Sequence, residues 1–552
     1  MTLNRREFLQ TSALATAGLW LPKSSRGLAS AGASADFQPT FASLSQYQTP
    51  DWFRDAKFGM WAHWGPQCVP EQGDWYARRL YQEGDRDYVA HVARYGHPSR
   101  SGFKDIIRQW RAEEWRPDDL VALYKQAGAQ YFMALANHHD NMDLWNSAHQ
   151  PWNSTRVGPR KDLIGGWAKA TRRAGMRFGV SVHAAHAWSW YEVSQGADKE
   201  GPLAGVPYDG KLTRAQGRGT WWDGLDPQDL YAQRHAPGKG LVWDWNASRG
   251  SSVPDTAYCE RFYARTMDLI EQHDPDLVYF DDTVLPLHPI SDVGLRIAAN
   301  FYNRSVRRHG GKLEAVLTGK VLDEEQRKAM VWDIERGAAT DIVPLPWQTD
   351  TCIGDWHYSR PLFARHGYKT PAMVAQMLVD IVSKNGNLML NVPLPGSGAL
   401  DDDEISFIAD FGRWMRTNGG AIYGSRPWAV YGEGPSTQGQ APLREQGFNE
   451  GRNRPYTAED IRFVQKGGKV YAFALAWPES GTLTIKSLAT GAAHAPGQVE
   501  RVELVGAPGA LEHSRTPGGL AITLPQRRRG DYVYAFEISG SGLTRDQAPP
   551  GR

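Results

Sequence analysis

Pro275-Asp276-Leu277-Val278-Tyr279-Phe280-Asp281-Asp282 sets four apolar residues between acidic ends. The apolar core, Leu277–Phe280, reads as a short strand. Upstream, Asp255 to His273 carries the three-to-four residue apolar spacing of an amphipathic helix. Helix, then buried strand, then carboxylate is one β/α unit. The same texture recurs outward in both directions. Further strand candidates are Phe58–Trp64, Tyr131–Ala136, Arg177–His183, Leu313–Leu317 and Leu388–Val392. Helix candidates lie between them. Pro117-Asp118-Asp119 opens one, with Leu120, Leu123, Tyr124 and Ala127 on one face and Gly128 as its stop; others cover Pro371–Lys384 and Phe407–Thr417. The expectation is an α/β fold: a (β/α)8-like barrel over residues 36–428.

In such barrels the chemistry gathers at the C-terminal ends of the strands. His63, His138-His139-Asp140 and Asp281-Asp282 all fall at those ends. An Asp at the end of a rigid strand has the placement of a nucleophile; it also has that of a helix-capping residue. The imidazoles admit two chemistries, hydrogen bonding to sugar hydroxyls or metal ligation. Adjacent His138 and His139 suit chelation poorly if both lie on a strand, where successive side chains point to opposite faces. The stretch 192–254 reads as a long loop insertion, with Trp221, Trp222, Trp243 and Trp245 among many Gly and Asp. Twenty-two tryptophans in the chain hint at carbohydrate, whose C–H faces stack on indole.

Past residue 428 the pattern changes. Val470–Trp477 alternates, placing Tyr471, Phe473, Leu475 and Trp477 on one face; Leu483–Ile485, Val499–Val505, Leu520–Leu524 and Tyr532–Ile538 follow, separated by Gly and Pro. Residues 429–552 are therefore expected to form an antiparallel β-sandwich. At the other end, Arg5-Arg6 precede a short apolar stretch, Ala13 to Leu21, and small residues up to Ala35. Residues 1–35 read as a twin-arginine export signal, implying a periplasmic or secreted protein. With 62 basic against 61 acidic residues, the charge gives no reason to expect nucleic acid or an anionic membrane as partner. No later segment has the roughly 18 apolar residues of a membrane span. Cys68, Cys259 and Cys352 have no zinc-type spacing and allow at most one disulfide.

Several stretches together resemble the α-L-fucosidases of glycoside hydrolase family 29. They are Asp51-Trp52-Phe53-Arg54-Asp55-Ala56-Lys57-Phe58-Gly59 with His63-Trp64-Gly65, then Trp75-Tyr76, Phe103-Lys104-Asp105 and Ala127-Gly128-Ala129-Gln130-Tyr131. His138-His139-Asp140, Leu144-Trp145-Asn146-Ser147, Asp276–Asp281, Trp347–Tyr358, Ser383–Val392 and Gly412–Gly424 continue the match in the same order.

The resemblance implies an exo-acting retaining glycosidase that needs no cofactor or metal and takes a fucosylated oligosaccharide or glycoconjugate. By position, Asp281 would be the nucleophile, and His63, Trp75, His138 and His139 would line the sugar subsite. Asp74, His183 and Trp188 stand where the family places further sugar contacts. Glu335, in Trp332-Asp333-Ile334-Glu335-Arg336, is the chosen acid/base; Arg336 beside it makes a surface ion pair the competing reading. The chain departs from the family at Asp74 (often Glu), Asn141 (often Gly), His183 (often Tyr) and Gln348 (often Glu). Asp74 and His183 keep an α-L-galactosidase open, Asp74 and Gln348 a non-catalytic sugar-binding relative, and the cluster His63, His138, His139, Asp140 and Asp281 a metal-dependent barrel hydrolase.

Overall fold

The computed structural model describes residues 36–443, 448–452, 454–528 and 530–544; the expected export signal, residues 1–35, lies outside them. Eight parallel strands close into a barrel in sequence order: β1 Phe58–Ala62, β2 Tyr131–Asn137, β3 Arg177–Val182, β4 Leu277–Thr283, β5 Val316–Lys320, β6 Val331–Glu335, β7 Trp347–Cys352 and β8 Gly386–Asn391. Strand β1 closes the ring by pairing with β2 on one side and β8 on the other. The longer helices packed outside include α1 Pro117–Gln126, α2 Leu163–Arg173, α3 Thr256–His273, α4 Val293–Arg308, α5 Pro371–Ser383 and α6 Asp402–Ile422. Their starts carry caps legible in the chain. Asp255 accepts from the Tyr258 amide ahead of α3, Thr370 from Met373 ahead of α5, and Asp401 and Glu404 form a reciprocal box at α6.

Strands covered on both faces read as continuous apolar runs, and β2 is buried at every residue. Strand β7, Trp-Gln-Thr-Asp-Thr-Cys, is equally buried although it is mostly polar. Gln348 and Asp350 turn into the barrel and find partners there, while the Thr349 hydroxyl donates to the Gly337 carbonyl and that of Thr351 to Glu450. The Tyr131 hydroxyl donates to Gln348 Oε1 at 3.0 Å, Gln348 Nε2 donates to Asp333 Oδ1 at 2.9 Å, and the Tyr279 hydroxyl donates to Asp350 Oδ2 at 2.8 Å. A polar floor of this kind has no apolar run to announce it. Strand β5 sits three residues beyond the expected Leu313–Leu317, because it continues through buried Thr318 and Lys320 while Glu314 pairs with Arg177.

Between β5 and β6 there is one turn of 3-10 helix, and between β6 and β7 only the stretch 336–346. A loop from the C-terminal region packs there: the Phe448 amide donates to the Glu335 carbonyl and the Glu450 amide to that of Arg336, both at 2.8 Å. The C-terminal region is two antiparallel sheets. One, ordered β13-β16-β11-β10-β9, joins Arg501–Leu504, Tyr534–Ser539, Lys469–Ala474, Ile461–Lys466 and Arg426–Glu433; the other, β12-β15-β14, joins Thr482–Ile485, Gly519–Thr523 and His513–Thr516. Their facing side chains, among them Phe463, Val470, Ile522 and Phe536, form a core separate from the barrel's. Strand β9 crosses the expected 428/429 boundary, and Trp428 belongs to the second core. Cys68, Cys259 and Cys352 are buried free thiols. No helix among the described residues is long and apolar enough to cross a membrane.

Candidate active site

Asp281 lies near the end of β4 and is 18 % exposed at the barrel mouth. Its Oδ2 faces His139 Nε2 and His183 Nδ1, each at 3.2 Å, and its Oδ1 accepts from Lys320 Nζ at 2.9 Å. Burial works to raise this carboxyl. The Lys320 ammonium, with the bonds from His139 and His183, outweighs it and holds Asp281 well below the usual carboxylate range. Asp282 points the other way, as strand alternation demands. It is fully buried, tied to His186 Nε2 at 2.9 Å and to the amides of Thr283 and Leu287.

Lys320 comes from β5, is buried, and was not singled out by sequence. It also donates to Glu335 Oε2 at 2.6 Å, at the end of β6. Burial pushes the Glu335 carboxyl up to about 7, with Lys320 opposing and Asp350 and Asp281 adding to the rise. Arg336 takes no part in this. Its backbone is left-handed (φ 44°), and its guanidinium turns to the Gly354 carbonyl at 2.7 Å and over the Trp356 ring. The surface ion-pair reading of Glu335 therefore does not apply to the folded chain.

Around this pair stand five imidazoles. His63 packs edge-on against His138, His183 and His357, with ring centres 4.7–5.1 Å apart. His138 and His139 share the site rather than opposing each other, with centroids 4.4 Å apart. Strand β2 ends at Asn137 and the chain turns there, so the alternation rule no longer applies. Burial, with mutual repulsion, depresses His63 and His138 well below the ordinary histidine value, and burial takes His183 down to about 4. Their tautomers follow from their partners. Gln67 Nε2 donates to His138 Nδ1 at 2.8 Å, so His138 carries its proton on Nε2; His183 carries its own on Nδ1, facing Asp281. His139 has oxygen on both sides, the His183 carbonyl at Nδ1 (2.8 Å) and Asp281 at Nε2. Both nitrogens of His63 and of His357, and Nε2 of His183, are buried with no hydrogen-bond partner among the described residues. Leaving such groups unpaired costs about 1–3 kcal/mol each, so a site lined by them favours a polyhydroxylated ligand. Two triads, His63/His138/His183 and His139/His183/Asp281, also have the proximity to hold a cation.

Asp74 lies behind His357. Its Oδ1 accepts the His357 amide at 2.8 Å and lies 3.6 Å from its Nδ1. Trp75, held left-handed at φ 64°, packs against Trp190 and Trp243. Those two indoles flank His139. Trp188 does not join them. It stacks on His235 with centres 3.9 Å apart and packs against Tyr258. The reason is helical geometry: Trp188 and Trp190 share the short helix Ala187–Trp190, where two positions apart means about 200° around the axis. The tryptophan facing the histidines is Trp190. His357, Trp356 and Trp243 were also missed. His357 and Trp356 lie within the stretch Trp347–Tyr358, and Trp243 within the insertion, so the signal was present but not resolved to residues.

Paired carboxylates bridged by a lysine, at the C-terminal mouth of an eight-stranded barrel lined by imidazole and indole, define a glycoside hydrolase. The α-L-fucosidase family model matches residues 26–420, and the model of the α-L-fucosidase C-terminal domain matches residues 454–539. The chain is similar to the tissue α-L-fucosidase of Macaca fascicularis, 25 % identical over 89 % of this chain and 88 % of that one. In fold it is similar to the crystal structure of the Thermotoga maritima α-fucosidase (TM-score 0.64, 24 % identity, 91 % of this chain and 100 % of that one). It is also similar to a Bacteroides thetaiotaomicron α-L-fucosidase trapped as a covalent intermediate with 2-fluoro-fucosyl fluoride (TM-score 0.57, 16 % identity, 89 % and 97 %). The chain belongs to the α-L-fucosidase family. That membership implies a glycan substrate, and it favours none of the three other readings, the α-L-galactosidase, the metal hydrolase or the non-catalytic relative.

Proposed function

We propose that the chain releases terminal α-L-fucose with retention, Asp281 acting as nucleophile and Glu335 as acid/base. The observation that carries this is the shared lysine. Contacts of 2.9 Å and 2.6 Å to one ammonium limit the gap between Asp281 Oδ1 and Glu335 Oε2 to about 5.5 Å. Retaining glycosidases hold their carboxyls about 5–5.5 Å apart, whereas inverting ones leave about 6.5–9.5 Å for a water.

In the first step Asp281 attacks the anomeric carbon while the bond to the leaving oxygen breaks and Glu335 gives that oxygen its proton. The product is a glycosyl ester on Asp281. Esterification removes the Asp281 charge, one of the causes holding Glu335 up. Glu335 then ionises more readily and serves as the base that deprotonates water in the second step, which frees the sugar and restores Asp281. The neutral imidazoles of His63, His138 and His183 offer donors and acceptors together, the pairing that sugar hydroxyls require. The covalent intermediate described for the Bacteroides relative supports this course. Arg5-Arg6 ahead of a short apolar run supports export by the twin-arginine route, so that the enzyme works outside the cytoplasm.

The test is labelling. A 2-deoxy-2-fluoro-fucosyl reagent should attach to the peptide containing Asp281, and folded Asp281→Asn should turn over almost nothing. Label on Asp282, or near-normal turnover of Asp281→Asn, overturns the assignment.

A further inference from the structure

A second cavity, of about 520 Å³, is lined by Arg108, Arg111, Arg156 and Arg160 together with Trp221 and Leu225. Its walls come from the connections that follow β1, β2 and β3. It therefore opens on the same end of the barrel as Asp281, built from residues none of which belongs to the catalytic cluster.

Several arginines elsewhere are ion-paired, Arg173 with Asp118, Arg296 with Glu260, Arg360 with Glu71 and Arg249 with Asp244, while others, such as Arg100, Arg116 and Arg307, are exposed without an ion pair to any described residue. The four arginines of the cavity have no ion pair and no side-chain hydrogen bond to any described residue. Asp105, on the same helix as Arg108, is already committed to Lys104, the Gly102 amide and the Trp221 indole N–H. Glu113 and Glu114, close in sequence, pair with none of the four. In a chain of net charge +1, four unneutralised guanidiniums around one concavity are a local concentration of charge.

The cluster is also held in place. Gly158 (φ +70°) lies so close to helix Phe103–Gln109 that a Cβ there would sit 2.8 Å from the Ile107 carbonyl oxygen. Arg156 and Val157 donate their amides to the Asn153 carbonyl, and Lys161 ties the loop to the Ala112 carbonyl. Arg108 lies over the half-buried Trp221 ring at 5.3 Å.

We propose that this cavity is an anion-recognition subsite for an acidic glycan, taking a sulfate ester or carboxylate on the arginine forks and a sugar face on Trp221. Guanidinium presents paired N–H donors matched to such groups, and the volume falls in the range of about 300–1,000 Å³ usual for small-ligand sites. A glycan is favoured over a nucleic acid because the charge is confined to one concavity, with an indole inside it, on the face where a glycosidase holds its substrate. That choice rests on the reading under Proposed function.

The experiment uses the full-length chain carrying Asp281→Asn, so that binding is read without turnover. Calorimetric titrations at low salt compare a dextran sulfate oligosaccharide, an oligogalacturonate, neutral dextran and a single-stranded oligonucleotide. One or both acidic glycans should bind about tenfold or more tighter than neutral dextran, and their relative affinity distinguishes sulfate from carboxylate. Adding Arg156→Ser and Arg160→Ser should abolish that preference. In the Asp281 background the same pair should leave aryl-fucoside turnover and melting temperature unchanged, since neither arginine holds the fold. Three outcomes overturn the proposal: no preference for either acidic glycan, a preference that survives the double substitution, or tighter binding of the oligonucleotide. Failure of Asp281 to take the fluoro-fucosyl label would instead overturn the catalytic reading and leave these affinities standing.

Discussion

Consider Glu335→Ala. In the folded chain Glu335 has one polar partner, Lys320, and sits at about 7 because burial outweighs that ammonium. Below about pH 7 it is mostly protonated and above it mostly ionised. General acid catalysis is worth about 10²–10⁴-fold, or about 2.7–5.5 kcal/mol of barrier. That contribution counts only where the leaving oxygen needs a proton. Glu335→Ala should therefore cost about 10²–10⁴-fold in kcat/KM on a fucosylated oligosaccharide and far less on an aryl fucoside with an activated phenol. Azide, a small anion able to attack the glycosyl-enzyme without a base, should restore part of the aryl rate. In the wild type, kcat/KM on the oligosaccharide should fall about tenfold per pH unit above about pH 7, as Glu335 ionises. On the activated aryl fucoside that limb should flatten. The sign follows from the role: the acid is useful while protonated, so activity is present below its pKa and lost above it. Equal losses on both substrates with no azide rescue would refute the reasoning. The acid would then be sought at Asp333 or Asp282. Both are wholly buried, Asp333 bonded to Gln348 and Asp282 to His186.

Two further outcomes follow from the same geometry and one from the N-terminal sequence. His357→Ala should raise KM for the fucoside severalfold, whereas Trp188→Ala should leave KM unchanged, because the first removes ring nitrogens at the site and the second a stack on His235; steady-state kinetics on one aryl fucoside decides both. Prolonged EDTA should leave the rate unchanged if His63, His138 and His183 serve hydroxyls, and a loss restored by Zn²⁺ would assign them to a metal instead. Arg5→Lys with Arg6→Lys should leave precursor and activity in the cytoplasm on fractionation, and unchanged periplasmic activity would exclude the twin-arginine route.

The sequence by itself determined the barrel, the sandwich and the strand end that carries Asp281. Each rests on local patterning: a strand buried on both faces must be apolar throughout, and a sheet with one dry face must alternate. It also placed Glu335 at the end of a later strand. Tertiary structure decided what depends on contacts between distant residues. Strand β7 escapes an apolar reading because Gln348 and Asp350 meet Tyr131, Asp333 and Tyr279 inside the barrel. Lys320 is an unremarkable lysine until barrel closure sets it between Asp281 and Glu335, lowering one carboxyl and restraining the other. The choice of Trp190 over Trp188 turns on about 200° of one helical turn, and the meeting of His138 with His139 on where β2 stops. Residue type and order constrain which elements form; which side chains share a site is fixed by the register and closure of strands far apart in sequence, information that no single segment carries.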